Sequence, residues 1–249
     1  MILDKPKTNE IERLAKTFSF HADSFLPNVS LQELGLVFQE LAGKQVDLLG
    51  IGSEYSKRTN NVYVLCREKM LFLKELKLGE NYTLVTYPLT PGKLQMQREA
   101  YLLDSLDEVV LKLDSIWVLV DYVTRRMKRT TDVASAQSKY PAFDTFVPLF
   151  EKRLEALGEM ERESMDLLLT HKVSESDLDS NNHMNNTIYL RLVQPFVAKG
   201  ISEVEIDFEK ECLLGETLSI YKKEEKDFVS FMGYKEDDCL SFKARISFF

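Results

Sequence analysis

The sequence predicts an α+β fold of two tandem units, each a long helix wrapped by an antiparallel sheet. Three observations predict it. The order strand, helix, strands runs twice along the chain, the strand-like segments are alternating or β-branched and aromatic, and turn chemistry separates them. At 249 residues the chain also exceeds the usual domain size of about 100–150, which fits two compact units.

The first unit opens at Thr17-Phe18-Ser19-Phe20-His21, where polar and aromatic side chains alternate as in a half-buried strand. The strongest helix start is Val29-Ser30-Leu31-Gln32-Glu33-Leu34. Ser30 can cap the N–H of Glu33 while Glu33 reaches back to Ser30, and Val29 and Leu34 form a hydrophobic staple. Leu34, Val37, Phe38, Leu41 and Leu48 hold one face, so a helix is expected from Ser30 to Leu48. Gly35 and Gly43 weaken it by about 1 kcal/mol each. Strands are expected at 62–72, 82–89, 96–103 and 109–123, with turns at Leu78-Gly79-Glu80-Asn81 and Pro91-Gly92.

The second half repeats the order. An extended segment ends near Ser174, and a helix is expected over 185–199, closed by Gly200 and strained at Pro195, where it can break. Strands follow at 204–212, 217–223, 228–234 and 240–248. In the last, Leu240, Phe242, Ala244, Ile246 and Phe248 alternate with Ser241, Lys243, Arg245 and Ser247. Residues 131–163 carry no sheet pattern: Ala134-Ser135-Ala136-Gln137-Ser138 reads as linker and 146–158 as a short amphipathic helix. The expected organisation is therefore 1–130, a linker at 131–163, and 164–249. Two sheets side by side would cover the edge that each leaves open alone.

Composition excludes several classes. A net charge of −8 argues against a nucleic-acid-binding protein. No run nears the roughly 18 apolar residues that span a bilayer, and the N-terminus lacks the apolar core of a secretory signal. Cys66, Cys212 and Cys239 form no Cys-x-x-Cys pair, so a reducing cytoplasm is expected. His21, His171 and His183 show no metal-ligand spacing, and Gly50-Ile51-Gly52-Ser53-Glu54 matches no cofactor loop or nucleophile elbow; neither metal nor cofactor is expected.

Chemistry concentrates in Asp177-Leu178-Asp179-Ser180-Asn181-Asn182-His183-Met184-Asn185-Asn186: two carboxylates, an imidazole and four amides at an expected helix start. Free N–H groups and the positive dipole end suit a carbonyl oxygen that becomes an oxyanion. The same residue types also suit a polar loop that merely caps the helix.

This segment, followed by Tyr189, resembles the signature of the acyl-acyl-carrier-protein thioesterases. Ser115-Ile116-Trp117-Val118, running on to Thr124-Arg125-Arg126, is similar to a second segment of that family, and Glu209-Lys210-Glu211-Cys212 to its basic-basic-Glu-Cys, with Glu209 departing from the first basic position. Gly92-Lys93 through Arg98 and Asp104 also falls where the family has a Gly-Lys…Arg…Asp stretch. The resemblance implies a double hot-dog fold and hydrolysis of fatty acyl-acyl carrier protein. It implies a catalytic set of Asp179, Asn181, His183 and Glu211, with Cys212 beside it. The first half has no such motif before its helix, so one site per chain is expected, with acyl-pocket walls from the N-terminal unit.

Water activated by Glu211 is the preferred route, with Asp179 orienting its neighbours or sharing the base duty and His183 and Asn181 positioning the water and polarising the thioester; a Cys212–His183 nucleophile is its rival. Strict alternation along 204–212 would turn Cys212 inward and Glu211 outward, unless a bulge near Lys210 or a strand end intervenes. The basic run Arg125, Arg126, Lys128 and Arg129 can steer an acidic carrier protein, and it lies far in sequence from the catalytic loop. An acyl-coenzyme A thioesterase and a silent acyl-binding module are the competing functions, and a homodimer stays open.

Overall fold

The computed structural model describes residues 14–21, 29–138, 162–197 and 200–249. Strand β1 (Leu14–Ser19) precedes helix α1 (Leu31–Leu48). Ser30 caps α1 by accepting the Glu33 N–H at 3.2 Å. The reciprocal half of the capping box is not made: Glu33 instead takes the N–H of His21 at 3.1 Å and its Nδ1 at 2.6 Å. That tethers the end of β1 to the helix start.

A short helix, α2 (Ser53–Thr59), leads into β2 (Asn61–Phe72), β3 (Asn81–Pro88), β4 (Gln95–Leu103) and β5 (Val109–Asp121). The two-residue strand β6 (Met127–Lys128) folds back on β5, and helix α3 (Thr131–Gln137) follows. The expected linker at 134–138 is therefore mostly helical, because Val133 and Ala136 bury against Ile51, Tyr55, Met96 and Leu119. The helix expected at 146–158 lies outside the described residues.

In the second half, β7 (Asp166–Lys172) precedes α4 (Asn186–Val193). The helix stops well short of Gly200. Pro195 has no N–H to continue the ladder, and Gln194–Phe196 closes as a 3-10 turn. Strands β8 (Ile201–Phe208), β9 (Thr217–Glu224), β10 (Phe228–Lys235) and β11 (Leu240–Phe248) complete the chain.

All strands join one antiparallel sheet in the order β1-β3-β4-β5-β2-β8-β11-β10-β9-β7, with β6 beside β5. The two units meet along β2 and β8, with Met70 opposite Val204 and Arg67 opposite Asp207. Charge fixes this seam. Lys69 pairs with Glu203 at 3.0 Å and Glu205 at 2.5 Å, and Arg67 with Asp207 at 3.6 Å. The acidic row of β8 thus matches a basic row on β2. Such pairs specify register more than they add stability, since a one-residue slip would break every one.

The apolar face of the sheet wraps α1 and α4 in a shared core including Leu34, Phe38, Leu102, Tyr189, Phe231 and Phe242. The helices pack tightly at Gly35: a Cβ there would meet Thr187 Cγ2 at 2.8 Å. The glycine that weakens α1 locally is what lets α4 approach. Among the described residues, no helix is long and apolar enough to cross a membrane.

Candidate active site

The candidate loop around Asp179, Asn181 and His183 is built by its own backbone. Asp179 N–H donates to His183 O at 2.8 Å, and Asp179 Oδ1 accepts Asn181 N–H at 2.8 Å and His183 N–H at 3.1 Å. Asn182, at the tip, takes a left-handed conformation with φ 61°, which asparagine tolerates. Asp177, 1% exposed, anchors the loop from below by accepting from Ser174, His171 Nε2 and Arg191. Burial works to raise its pKa, yet these donors win and hold it at about 2.

Glu211 arrives from the other side. Strand β8 ends at Phe208, and the next two amides, Glu209 and Lys210, both donate to Ser241 O at 2.8 and 3.0 Å. Ser241 Oγ in turn donates to Lys210 O at 2.7 Å. The chain therefore leaves the sheet before Glu211, and the strand expected to reach 212 stops early. Met184 N–H then donates to Cys212 O at 2.8 Å, locking the two segments together.

Two cavities open at this junction. The larger, about 400 Å³, lies in the N-terminal unit among Ala42, Val46, Tyr63, Met96, Trp117 and Val133. The smaller, about 100 Å³, is lined by His183, Glu211, Leu65 and Phe208. Asp179, Asn181, Asn186 and Tyr63 line both. The Asn181 side chain makes no hydrogen bond among the described residues, so its amide is available to a ligand.

A family model described as the acyl-ACP thioesterase N-terminal domain matches residues 18–137, and its C-terminal counterpart matches 160–245. The chain belongs to the acyl-ACP thioesterase family. It is 25% identical over 192 residues to a chloroplastic palmitoyl-acyl carrier protein thioesterase of Cuphea hookeriana, covering 73% of this chain and 45% of that protein. An oleoyl-acyl carrier protein thioesterase of Coriandrum sativum is 20% identical over 202 residues, covering 74% and 54%. The chain thus spans about half the length of these curated relatives. The fold is similar to a 12:0-ACP thioesterase from Umbellularia californica (TM-score 0.83, 17% identity, 97% of this chain and 98% of that one). It is likewise similar to an acyl-ACP thioesterase from Bacteroides thetaiotaomicron (TM-score 0.80, 17% identity, 97% and 99%). The two tandem units are hot-dog units.

Within this acyl-ACP thioesterase fold, Asp179, Asn181, His183 and Glu211 come together, and Cys212 turns away. Its side chain is fully buried, its Sγ lies 3.2 Å from Ser241 Oγ, and it lines neither cavity. Burial pushes the thiol pKa up, the wrong direction for a nucleophile. The helix N-terminus is also less open than the sequence implies. Thr187 N–H donates to Asn185 Oδ1 and Ile188 N–H to Asn185 O, each at 2.9 Å.

The basic run divides. Residues 122–129 are all exposed, and among the described residues Arg126 and Arg129 form no ion pair. Lys128 pairs with Asp121 at 3.2 Å. Arg125, however, does not stand clear of the candidate site as its sequence distance implied: its Nη2 donates to Glu211 Oε1 at 2.6 Å.

Arg98, part of the Gly-Lys…Arg…Asp stretch but given no role there, lies on the wall of the larger cavity, where its Nη1 donates to Gln45 and Thr86. Burial lowers its pKa to about 10. The signal was an arginine amid Met96, Ala100 and Leu102 on the apolar positions of an alternating strand.

Proposed function

We propose that this chain hydrolyses the thioester of fatty acyl-acyl carrier protein, releasing a free fatty acid and the carrier's phosphopantetheine thiol during fatty acid biosynthesis. The observation that carries the reading is the shared rim: Asp179 and Asn181 line both cavities. The acyl chain would fill the larger cavity, walled by the N-terminal unit (1–130) and α3 at the start of the 131–163 joining segment. The reacting groups come from the C-terminal unit (164–249).

Glu211 takes a proton from water, and the hydroxide adds to the thioester carbonyl carbon. Asn181 and His183 receive the developing oxyanion, with the Asn186 N–H the remaining helix contribution. Collapse breaks the C–S bond, and the thiolate leaves with the proton that Glu211 held. Asp179 acts chiefly by fixing the loop. Water attack is favoured over a Cys212–His183 nucleophile because Cys212 Sγ contacts Ser241 and lines neither cavity. Both cavities are lined within one chain, so the reading requires no second copy. Three free cysteines fit a reducing compartment such as the cytoplasm.

Exposed Arg126 and Arg129, without ion pairs among the described residues, suit an anionic donor, and the family match favours acyl carrier protein over the likewise anionic coenzyme A. The test is a panel of acyl carrier protein and acyl-coenzyme A thioesters from short to long chains, scored by thiol release. Faster turnover of the carrier thioesters is expected. A preference for coenzyme A would move the assignment to that donor, and no release from any donor would leave an acyl-binding module.

A further inference from the structure

We propose that Arg125, contributed by the N-terminal unit, is a positioning residue of the reaction, holding the Glu211 carboxylate opposite His183. The inference rests on the hydrolase reading above and adds a group to it. The turn after β5, held by Asp121, presents this side chain. Asp121 Oδ1 accepts the Thr124 N–H at 2.8 Å and its hydroxyl at 2.9 Å, and Asp121 O accepts the Arg125 N–H at 2.8 Å. The guanidinium lies over the Tyr122 ring, 5.6 Å from its centroid. From there Nη2 donates to Glu211 Oε1 at 2.6 Å and comes within 3.4 Å of His183 Nε2. His183 Nε2 and Glu211 Oε1 are 4.0 Å apart, so one nitrogen addresses both. A guanidinium only donates, so the 3.4 Å approach is a hydrogen bond when His183 Nε2 accepts, in the tautomer with its proton on Nδ1.

The backbone supplies a second, independent observation. Among the described residues, the non-glycine residues with positive φ are Asn60, Asp107, Asn182, Asp238 and Arg125 at 58°. Asparagine and aspartate adopt this conformation readily, whereas arginine pays a steric penalty for it. The ion pair does not compensate: its side chains are 45% and 42% exposed, and pairs that open to solvent add little stability. Strain held without a stability return is characteristic of groups fixed for chemistry. Glu211 sits in a loop beyond its strand, so Oε1 needs an external clamp if Oε2 is to face water consistently.

The test uses the full chain and the variants Arg125→Gly, Arg125→Lys and Arg125→Gln. Substrates are an acyl carrier protein thioester and the matching acyl-N-acetylcysteamine thioester, which has no carrier. For Arg125→Gly, Tm is expected to stay within about 2 °C of wild type or rise, because glycine relieves the strained φ. Its kcat is expected to fall about 100-fold on both substrates, the usual consequence of misplacing a reacting group by an ångström. Arg125→Lys should recover at least about a tenth of wild-type kcat, since it keeps a donor on Glu211. A normal kcat in folded Arg125→Gly or Arg125→Gln, with only KM for the carrier substrate raised, would overturn the inference and return Arg125 to the docking surface. If glycine prevents folding, the Gln and Lys pair decides: equal kcat in both would overturn it. A wild type that releases no thiol from either substrate would instead sink the hydrolase reading itself.

Discussion

Asp179 Oδ1 accepts the backbone N–H of His183 at 3.1 Å, so the carboxylate holds the loop that aims the imidazole rather than the imidazole itself. The same oxygen takes the Asn181 N–H at 2.8 Å. Asp179→Ala should therefore free two backbone donors and let both side chains drift. A loss of about 10²–10³ in kcat is expected, comparable to deleting one oxyanion donor. His183→Ala should lose as much while leaving the loop closed. Thiol release measured beside circular dichroism would check both, and near-normal turnover by folded Asp179→Ala would remove this loop from the chemistry.

Glu211 and Cys212 are adjacent in sequence and opposite in environment. Glu211 is 42% exposed at the mouth of the smaller cavity, while Cys212 is fully buried beneath Ser241 and Tyr189. Glu211→Gln should lose nearly all activity, whereas Cys212→Ala should keep most of it with a modest fall in Tm from lost packing. An acyl group trapped on Cys212, or an inactive Cys212→Ala of normal stability, would reverse this assignment.

How much of this was legible in the sequence depends on the range of the interactions involved. Helix α1 and strand β11 were readable because local periodicity and the Ser30 cap act within a few residues. The end of β8 was not, because it is set by Ser241, some thirty positions away, which captures the amides of Glu209 and Lys210. Alternation alone put Glu211 on a solvated face; the bulge-like pairing of Glu209 and Lys210 with one carbonyl, at the strand end, reconciles it with the site. Helix α3 was missed because its alanines and serines carry no strong apolar stripe, and its burial depends on Met96 and Leu119. Asp179, Asn181 and His183 were accessible as a motif. The Arg125–Glu211 contact was not, since it joins two turns from opposite units of the sheet.

Asp177 gives the loop a pH dependence. Its carboxyl is held at about 2, below the ordinary 3.8, so the folded state binds the ionised form more tightly than the unfolded chain does. The stabilisation is present above pH 4 and is lost as pH falls through 2, amounting to about 2 kcal/mol. Asp177→Asn should lower Tm at pH 7 and flatten the decline of stability between pH 4 and 2. An unchanged acid limb would mean that Ser174, His171 and Arg191 do not stabilise the charge as drawn.

Glu68 works the other way. It is 5% exposed in the middle of β2, takes no hydrogen bond from the described residues, and is pushed up to about 8 by burial. The folded state therefore keeps a proton that the unfolded chain releases near 4.5. Stability associated with that proton is full below 4.5 and is lost as pH rises through 8, on the order of 5 kcal/mol across the window. Glu68→Gln should raise Tm at pH 8 and leave it nearly unchanged at pH 4. Equal shifts at both pH values would point to packing instead of ionisation.

The remaining basic residues test the carrier. Arg126 and Arg129 are exposed without ion pairs among the described residues, and Lys128 is only tethered to Asp121. Reversing all three to glutamate should raise KM for an acyl carrier protein thioester about tenfold or more, with kcat at saturation within about twofold, because steering acts on encounter. Arg125 is left in place, since its contact with Glu211 would mix docking with chemistry. Salt supplies the second reading. Exposed charges are screened over a Debye length of about 8 Å at physiological ionic strength, so wild-type kcat/KM should fall as salt rises. The triple variant should show a flatter slope. Identical slopes in both proteins would make the run a solvated turn and move the docking surface to another face.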